Sequence, residues 1–270
     1  MLDFDGTLTD VEKEAERFGE RYMADLGKSI GISEAELSVL WERMQRRILC
    51  NPDAGWEVGG KIVAPAHADP HILATVTAVN VLNALNLLME PEERLKVMDS
   101  LFHRNYPQNR IAFREGAADF LRQLMEKYDA CFVTSSKAES VRQKLAHLGL
   151  KCIPPVYGSA QKYVIDDSWG AVPESIVLEG LSRPVFLRRK KYWDILEGAM
   201  AGRNLRKDEL LVAGDIYELD LSLPHFFGMR LGLITKSATS AQEITTVSNY
   251  ERGFVVPDLQ ACLSKILDFD

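Results

Sequence analysis

Residues 1–10 read MLDFDGTLTD. Asp3 and Asp5 stand two apart and are followed at once by Gly6 and Thr7. Residues i and i+2 of a strand point to the same side. Both carboxylates would therefore emerge together at the strand's carboxyl end, the edge at which open α/β sheets bind ligands. Gly6 permits a sharp turn there and exposes backbone N–H groups. Only Met1 and Leu2 precede Asp3. A buried parallel strand that short would leave the ladders of its neighbours unpaired. The expectation is either a sequence that begins late or an unusually short first strand, with the first favoured.

Outward from that stretch, residues 11 to about 105 carry helical patterns. Ala15, Phe18, Tyr22 and Leu26 recur near helical spacing. Ser33 and Glu36 form a capping-box pair ahead of LSVLWERMQRRIL. The stretch 51–71 is rich in Gly, Pro and Asp and reads as loop. Residues 72–89, ILATVTAVNVLNALNLLM, carry no charge and are just long enough to span a bilayer. Thr77, Asn80, Asn83 and Asn86 recur every third residue as one polar stripe. The expectation is a core helix that can also meet a second copy of the chain, not a membrane span.

From about residue 112 strands and helices alternate. EGAADFLRQLMEKY reads as helix, DACFVT as strand and SKAESVRQKLAHLGL as helix. KYWDILEGAMAG (helix), ELLVAGD and MRLGLIT (strands) and LQACLSKIL (a last helix) follow. Such alternation implies a parallel sheet with helices on both faces. The fold class is therefore α/β, a doubly wound parallel sheet interrupted early by a helical insertion. The domain expectation is a core of residues 1–12 and 108–270 and a helical domain of residues 13–107. No GxGxxG follows a strand, so a dinucleotide-binding oxidoreductase is a poor reading.

DFDGTLTD as a whole resembles motif I of the haloacid dehalogenase-like (HAD) superfamily, chiefly phosphatases and phosphotransferases. Three further stretches fit the resemblance in order. The strand 131–134 ends in Thr134, as the family's motif II ends in Thr or Ser, with Ser135 as the fallback. Ser135 or Ser136 reads equally well as the cap of the following helix. Motif III in the family is a Lys at or before a helix, and the register of LRRKKYWDILEGAM favours Lys190 over Lys191. The family's Lys-Pro pair is missing, because Lys191 holds the Pro position. LLVAGDIYELD matches the GDxxxxD form of motif IV, with Asp215 and Asp220 as its acids. The insertion falls between motifs I and II, where the family places a C1-type cap.

The resemblance implies a Mg²⁺-dependent phosphatase acting on a small phosphorylated metabolite. Asp3 would attack phosphorus and form an aspartyl-phosphate. Asp5 would protonate the leaving oxygen and then deprotonate water. Gly6, Thr7, Thr134, Ser135 and Lys190 would hold the phosphate. Asp3, Asp5 (through its carbonyl) and Asp215 would bind Mg²⁺, with Asp220 orienting it or its waters. An Asp at the second acid position resembles phosphatases and phosphomutases. P-type ATPases have Thr there, and dehalogenases need no such acid. A phosphomutase or phosphotransferase is the enzymatic alternative, and a non-catalytic phosphate-ligand binding protein is the rival from another class.

The composition agrees with a globular chain. Its 270 residues are 46% hydrophobic and 26% charged, with net charge −7. That balance does not favour a nucleic-acid partner. Four scattered cysteines without a CxxC pair read as reduced thiols, and no signal-type segment opens the chain; both predict a cytoplasmic protein. Arg17, Arg21, Trp56, Lys61, His67 and His71 are candidates for substrate contact from the insertion. His67, Asp69 and His71 form a weak candidate metal cluster. The segment 152–187 exceeds the family's usual length there. It is read as an extra hairpin or flap, with Asp166 and Asp167 as turn residues.

Overall fold

The computed structural model describes residues 1–268. Packing divides it into two compact units: Met1–Asp10, Glu57–Ala64 and the chain from Phe113 onward form one, Val11–Trp56 and Pro65–Ala112 the other. Along the chain the helices are α1 (Val11–Glu14), α2 (Phe18–Ile30), α3 (Glu34–Leu49), α4 (Pro70–Leu85), α5 (Pro91–Asn105), α6 (Ala117–Lys127), α7 (Ala138–Ala146), α8 (Lys190–Ala201), α9 (Ser222–Phe226), α10 (Ala241–Ser248) and α11 (Leu259–Leu267). The strands are β1 (Gly55–Val58), β2 (Lys61–Pro65), β3 (Phe132–Val133), β4 (Val156–Tyr157), β5 (Ser175–Val177), β6 (Pro184–Phe186), β7 (Leu211–Gly214), β8 (Arg230–Ile234) and β9 (Gly253–Val256).

The helical unit packs Phe18, Tyr22 and Leu26 of α2 with Leu37 and Trp41 of α3, Ala78 and Leu82 of α4 and Leu101 of α5. The Ser33–Glu36 capping box opens α3 as its sequence predicts. Asp69 caps α4 by accepting from the His71 amide at 2.7 Å, and Pro70 takes the first helical position, where its missing N–H costs nothing. The uncharged helix ends four residues earlier than its apolar run, because Asn86 turns left-handed (φ 53°) after Leu85. No helix among the described residues is long and apolar enough to cross a membrane.

The insertion is not all helix. The stretch 51–71, read as loop, contains the β1–β2 hairpin. Gly59 and Gly60 connect its strands at φ 59° and 78°, the two-residue loop whose twist suits a hairpin. Its tip, residues 57–64, belongs to the core unit, a break in the insertion that composition does not reveal. Lys61 pairs there with Asp167 and, at 3.0 Å, with Glu174.

In the core unit β3 pairs with β4, and β7 with β8 and β8 with β9, all in parallel. Leu2 joins the two halves, bridging Phe132 on one side and Ala213 on the other. Three residues make the central ladders. Leu2 N–H donates to the Cys131 carbonyl (2.9 Å), Asp3 N–H to Ala213 (2.8 Å), and the Met1 amine to Leu211 (2.6 Å). Alternation along the strands separates two cores. Leu2, Phe132, Ala213 and Ile234 face the side of α6, α7 and α11, and Val133, Val212, Leu231 and Leu233 face the side of α8 and α10. Two elements escape the sequence patterns. Half of helix α10 is β-branched (Ile244, Thr245, Thr246 and Val247), which helices favour little, and it is held by the Ser240–Glu243 capping box. The strand β9 is four residues at the sheet's edge.

Candidate active site

Parallel strands bring their carboxyl ends to one edge, and five consecutive ends there carry the polar residues. Asp3 follows Leu2, Thr134 follows β3, Lys162 follows β4 by a short loop, Asp215 follows β7 and Lys236 follows β8. The Lys162 ammonium donates to Asp3 Oδ1 (2.6 Å) and to Asp220 Oδ1 (2.8 Å). Asp220 Oδ2 accepts the Ile216 amide at 3.1 Å, so both its oxygens are committed. The Lys236 ammonium pairs with Asp215 Oδ2. The Thr7 hydroxyl lies between Asp3 Oδ2 (3.3 Å) and Asp215 Oδ1 (3.1 Å). Asp3, Asp215 and Asp220 are buried, and one carboxylate oxygen of each lies within 4.8 Å of one from each of the others.

Crowding sets the electrostatics. Burial pushes the Asp3 carboxyl well above the usual carboxylate range, with Lys162 opposing it and Asp220 and Asp215 adding to it. Burial likewise raises Asp215 against the pull of Lys236. Burial alone would lower Lys162, but Asp220 and Asp3 hold it above its ordinary value. Three acids converge on two ammonium groups in a buried site, a donor set of oxygens alone that fits a hard divalent cation.

Asp5 is turned away from this cluster. Its Oδ2 accepts from Ser136 Oγ (2.6 Å) and Thr134 Oγ1 (3.2 Å), and its Oδ1 from the Lys144 ammonium (3.3 Å). The two acids of the opening motif thus occupy different surroundings: Asp3 sits among carboxylates and lysine, and Asp5 among hydroxyls and lysine.

No family model matches the sequence, and no curated protein matches it. Solved structures match over nearly the whole chain. A predicted phosphoglycolate phosphatase from Haemophilus somnus 129PT is 14% identical, with 98% of this chain and 96% of that one covered and a TM-score of 0.55. A protein described as a beta-phosphoglucomutase from Thermotoga maritima is 14% identical over 99% and 97% of the two chains, TM-score 0.54. A protein described as a HAD-hydrolase, YfnB from Bacillus subtilis, solved bound to magnesium, is 13% identical over 99% and 96%, TM-score 0.53. The chain has the HAD-like hydrolase fold. At these identities the likeness is one of fold.

Within the HAD-like core one expectation is corrected. Lys190 does not reach the carboxylates: it opens α8, pairs with Asp194 four residues on, and has 40% of its side chain exposed. Lys191 donates to Gln161 Oε1 at 2.8 Å. The amine on Asp3 belongs to Lys162, the first lysine after β4. Spacing misleads because residues 163–189, including the β5–β6 hairpin, separate this lysine from the helix it was expected to open.

Other site residues fall as follows. The Gly6 amide is committed to Thr9 Oγ1 at 3.0 Å. Ser135 Oγ accepts the Lys162 amide at 3.1 Å. The Asp5 carboxylate is not part of the acidic trio, which among the described residues is the one group placed to hold a metal ion. Asp69 and His71 bond each other at 2.8 Å, and His71 Nε2 meets Asn109 Nδ2 at 2.7 Å. Arg21 donates to Asn109 Oδ1 at 2.8 Å, and Arg17 pairs with Glu20 at 3.6 Å. Asp166 accepts the Ser168 amide in a turn, as expected. Lys144, Lys236 and the buried arginines Arg183 and Arg189 had no sequence signal beyond their charge.

Two consequences are measurable. Gly6 has φ +85°, and a Cβ there would lie 2.3 Å from Asp215 Oδ2. Gly6→Ala is expected to displace the Asp215 carboxylate and lower the melting temperature, read by thermal shift against the wild type. Arg183 Nη1 donates to Glu218 Oε2 at 3.0 Å beside the acidic turn, and both side chains are nearly fully buried. Arg183→Met strands the Glu218 carboxylate and should cost about 3–5 kcal/mol in urea unfolding.

Proposed function

We propose that this protein is a metal-dependent phosphatase that hydrolyses a small phosphate monoester through an aspartyl-phosphate on Asp3. The observation that carries the reading is the Asp3 carboxylate, held by Lys162 beside Asp215 and Asp220, with Asp5 two residues on among separate donors. Asp3 and Asp215 would hold Mg²⁺, and Asp220 fixes Lys162. When bound, the ion supplies positive charge between two anions, the phosphate and its attacking carboxylate.

The chain's own groups account for the rest. Asp3 Oδ attacks phosphorus as the ester oxygen leaves, and Asp5 gives that oxygen its proton. Lys162 offsets negative charge on the nucleophile and the transferring group. Water then attacks the acyl phosphate, Asp5 takes its proton, and phosphate departs with Asp3 restored. Thr134, which donates to Asp5 in this structure, would donate to a phosphoryl oxygen once one is bound. The helical unit is inserted between Asp5 and Thr134 in sequence, the place of a C1-type cap, and its part in this reading is to select the leaving group.

The test is release of 4-nitrophenol from 4-nitrophenyl phosphate, with Mg²⁺ and with chelator. Metal-dependent turnover supports the reading. Labelling of Asp3 without release of phosphate, relieved by an added alcohol acceptor, would move the assignment to a phosphotransferase. No labelling and no turnover would overturn both.

A further inference from the structure

Lys162 reaches the site from an irregular loop, not from a helix end. Ser159 and Gln161 just before it adopt left-handed backbone (φ 55° and 45°), which side chains other than glycine resist. Such a loop keeps its shape only if its surroundings impose it. Backbone ties secure its first part: the Ser159 amide donates to the Ser136 carbonyl (2.8 Å) and the Ala160 amide to the Thr134 carbonyl (2.9 Å). Lys162 itself is held at both backbone groups. Its amide donates to Ser135 Oγ, and its carbonyl accepts from Arg189 Nη1.

Arg189 is fully buried, yet among the described residues it pairs with no carboxylate at hydrogen-bond distance. Its guanidinium is spread over three carbonyls: Lys162, Phe186 through Nε (3.2 Å) and Val63 of the hairpin tip through Nη2 (2.9 Å). Those carbonyls lie at the start of the extra segment, near its end, and on the 57–64 tip. A planar fork of fixed donors suits such a junction, where an ammonium would not. Burial lowers the guanidinium to about 10, against the opposing charges of Glu218 and Asp220, which leaves it a cation at neutral pH.

We propose that Arg189 is the positioning residue for Lys162, clamping the base of the 163–188 segment so that the ammonium stays on Asp3 and Asp220. This rests on the phosphatase reading above. It explains how a site lysine can precede a long extra segment without losing its place. Arg189 acts through Lys162 and touches neither substrate nor metal.

A double-mutant cycle tests it. Turnover of 4-nitrophenyl phosphate at saturating Mg²⁺ is measured for Arg189→Lys, Arg189→Gln, Lys162→Met and the two double variants. Each is assayed below its melting transition. Arg189→Lys and Arg189→Gln should each lower kcat about 10–100-fold. In the Lys162→Met background the same changes should cost less than about 2-fold, because the group they position is gone. Losses that multiply in the double variants would make Arg189 a structural residue and overturn the proposal. So would kcat unchanged in both single variants, or failure of both to fold. A Lys162→Met protein that turns over like wild type would take Lys162 out of the chemistry and overturn the proposal, whereas a wild type without metal-dependent turnover would instead sink the phosphatase reading.

Discussion

Asp3→Asn is expected to lower kcat for a phosphate monoester by at least about 10³-fold while leaving the fold as stable as before, or more so. The loss follows because the amide has no oxygen nucleophile of comparable strength. The stability follows from the site's charge balance. Burial and the nearby acids raise the Asp3 carboxyl, so the folded state disfavours the charge that the proposed reaction needs. Removing that charge leaves Lys162 its contact with Asp220. Turnover and urea unfolding of the same preparation check both halves. A variant that keeps activity would show that another group is the nucleophile. One that unfolds easily would show that Lys162 needs Asp3 more than the acids oppose it.

Lys162→Met should reduce turnover about 100-fold or more, and Lys190→Met should leave it within about 2-fold. Lys162 is the cation on the proposed nucleophile, and charge opposite a transferring phosphoryl group is a large part of such catalysis. Its loss also strands two buried acids, Asp3 and Asp220, with a stability cost of about 3–5 kcal/mol, part of which protonation of Asp3 offsets. Lys190 makes a surface pair one helical turn apart, worth about 0.3–0.5 kcal/mol. Paired kinetics and denaturation on the two variants separate these cases. The reverse order of effects would return the motif III role to Lys190.

The part of the site that the sequence carries is the part built from short contiguous patterns. Asp3, Asp5 and Gly6 lie within four residues, and Asp215 and Asp220 within six, each on one strand end and its turn. Local geometry alone then brings each pair to the sheet's edge. Thr134 is legible for the same reason, as the last residue of an apolar run. The lysine is not, because its place depends on how many residues fold away between β4 and α8. Sequence distance counts those residues; space does not. The β1–β2 hairpin was hidden differently: its GG turn signals a hairpin, but Gly, Pro and Asp around it signal a loop equally well.

By itself, then, the sequence determined an α/β sheet with an early insertion, and the identity of the acids at its edge. Periodicity and turn chemistry act over a few residues and survive without knowledge of the rest. Only the tertiary structure decided which cation meets those acids, that Asp5 is held apart by Thr134, Ser136 and Lys144, and that Arg189 joins Lys162 to the tip of a distant hairpin. Those pairings join residues up to 159 positions apart. They are fixed by burial, which makes an unpaired charge or carbonyl costly and so selects partners by position in space, not by order along the chain.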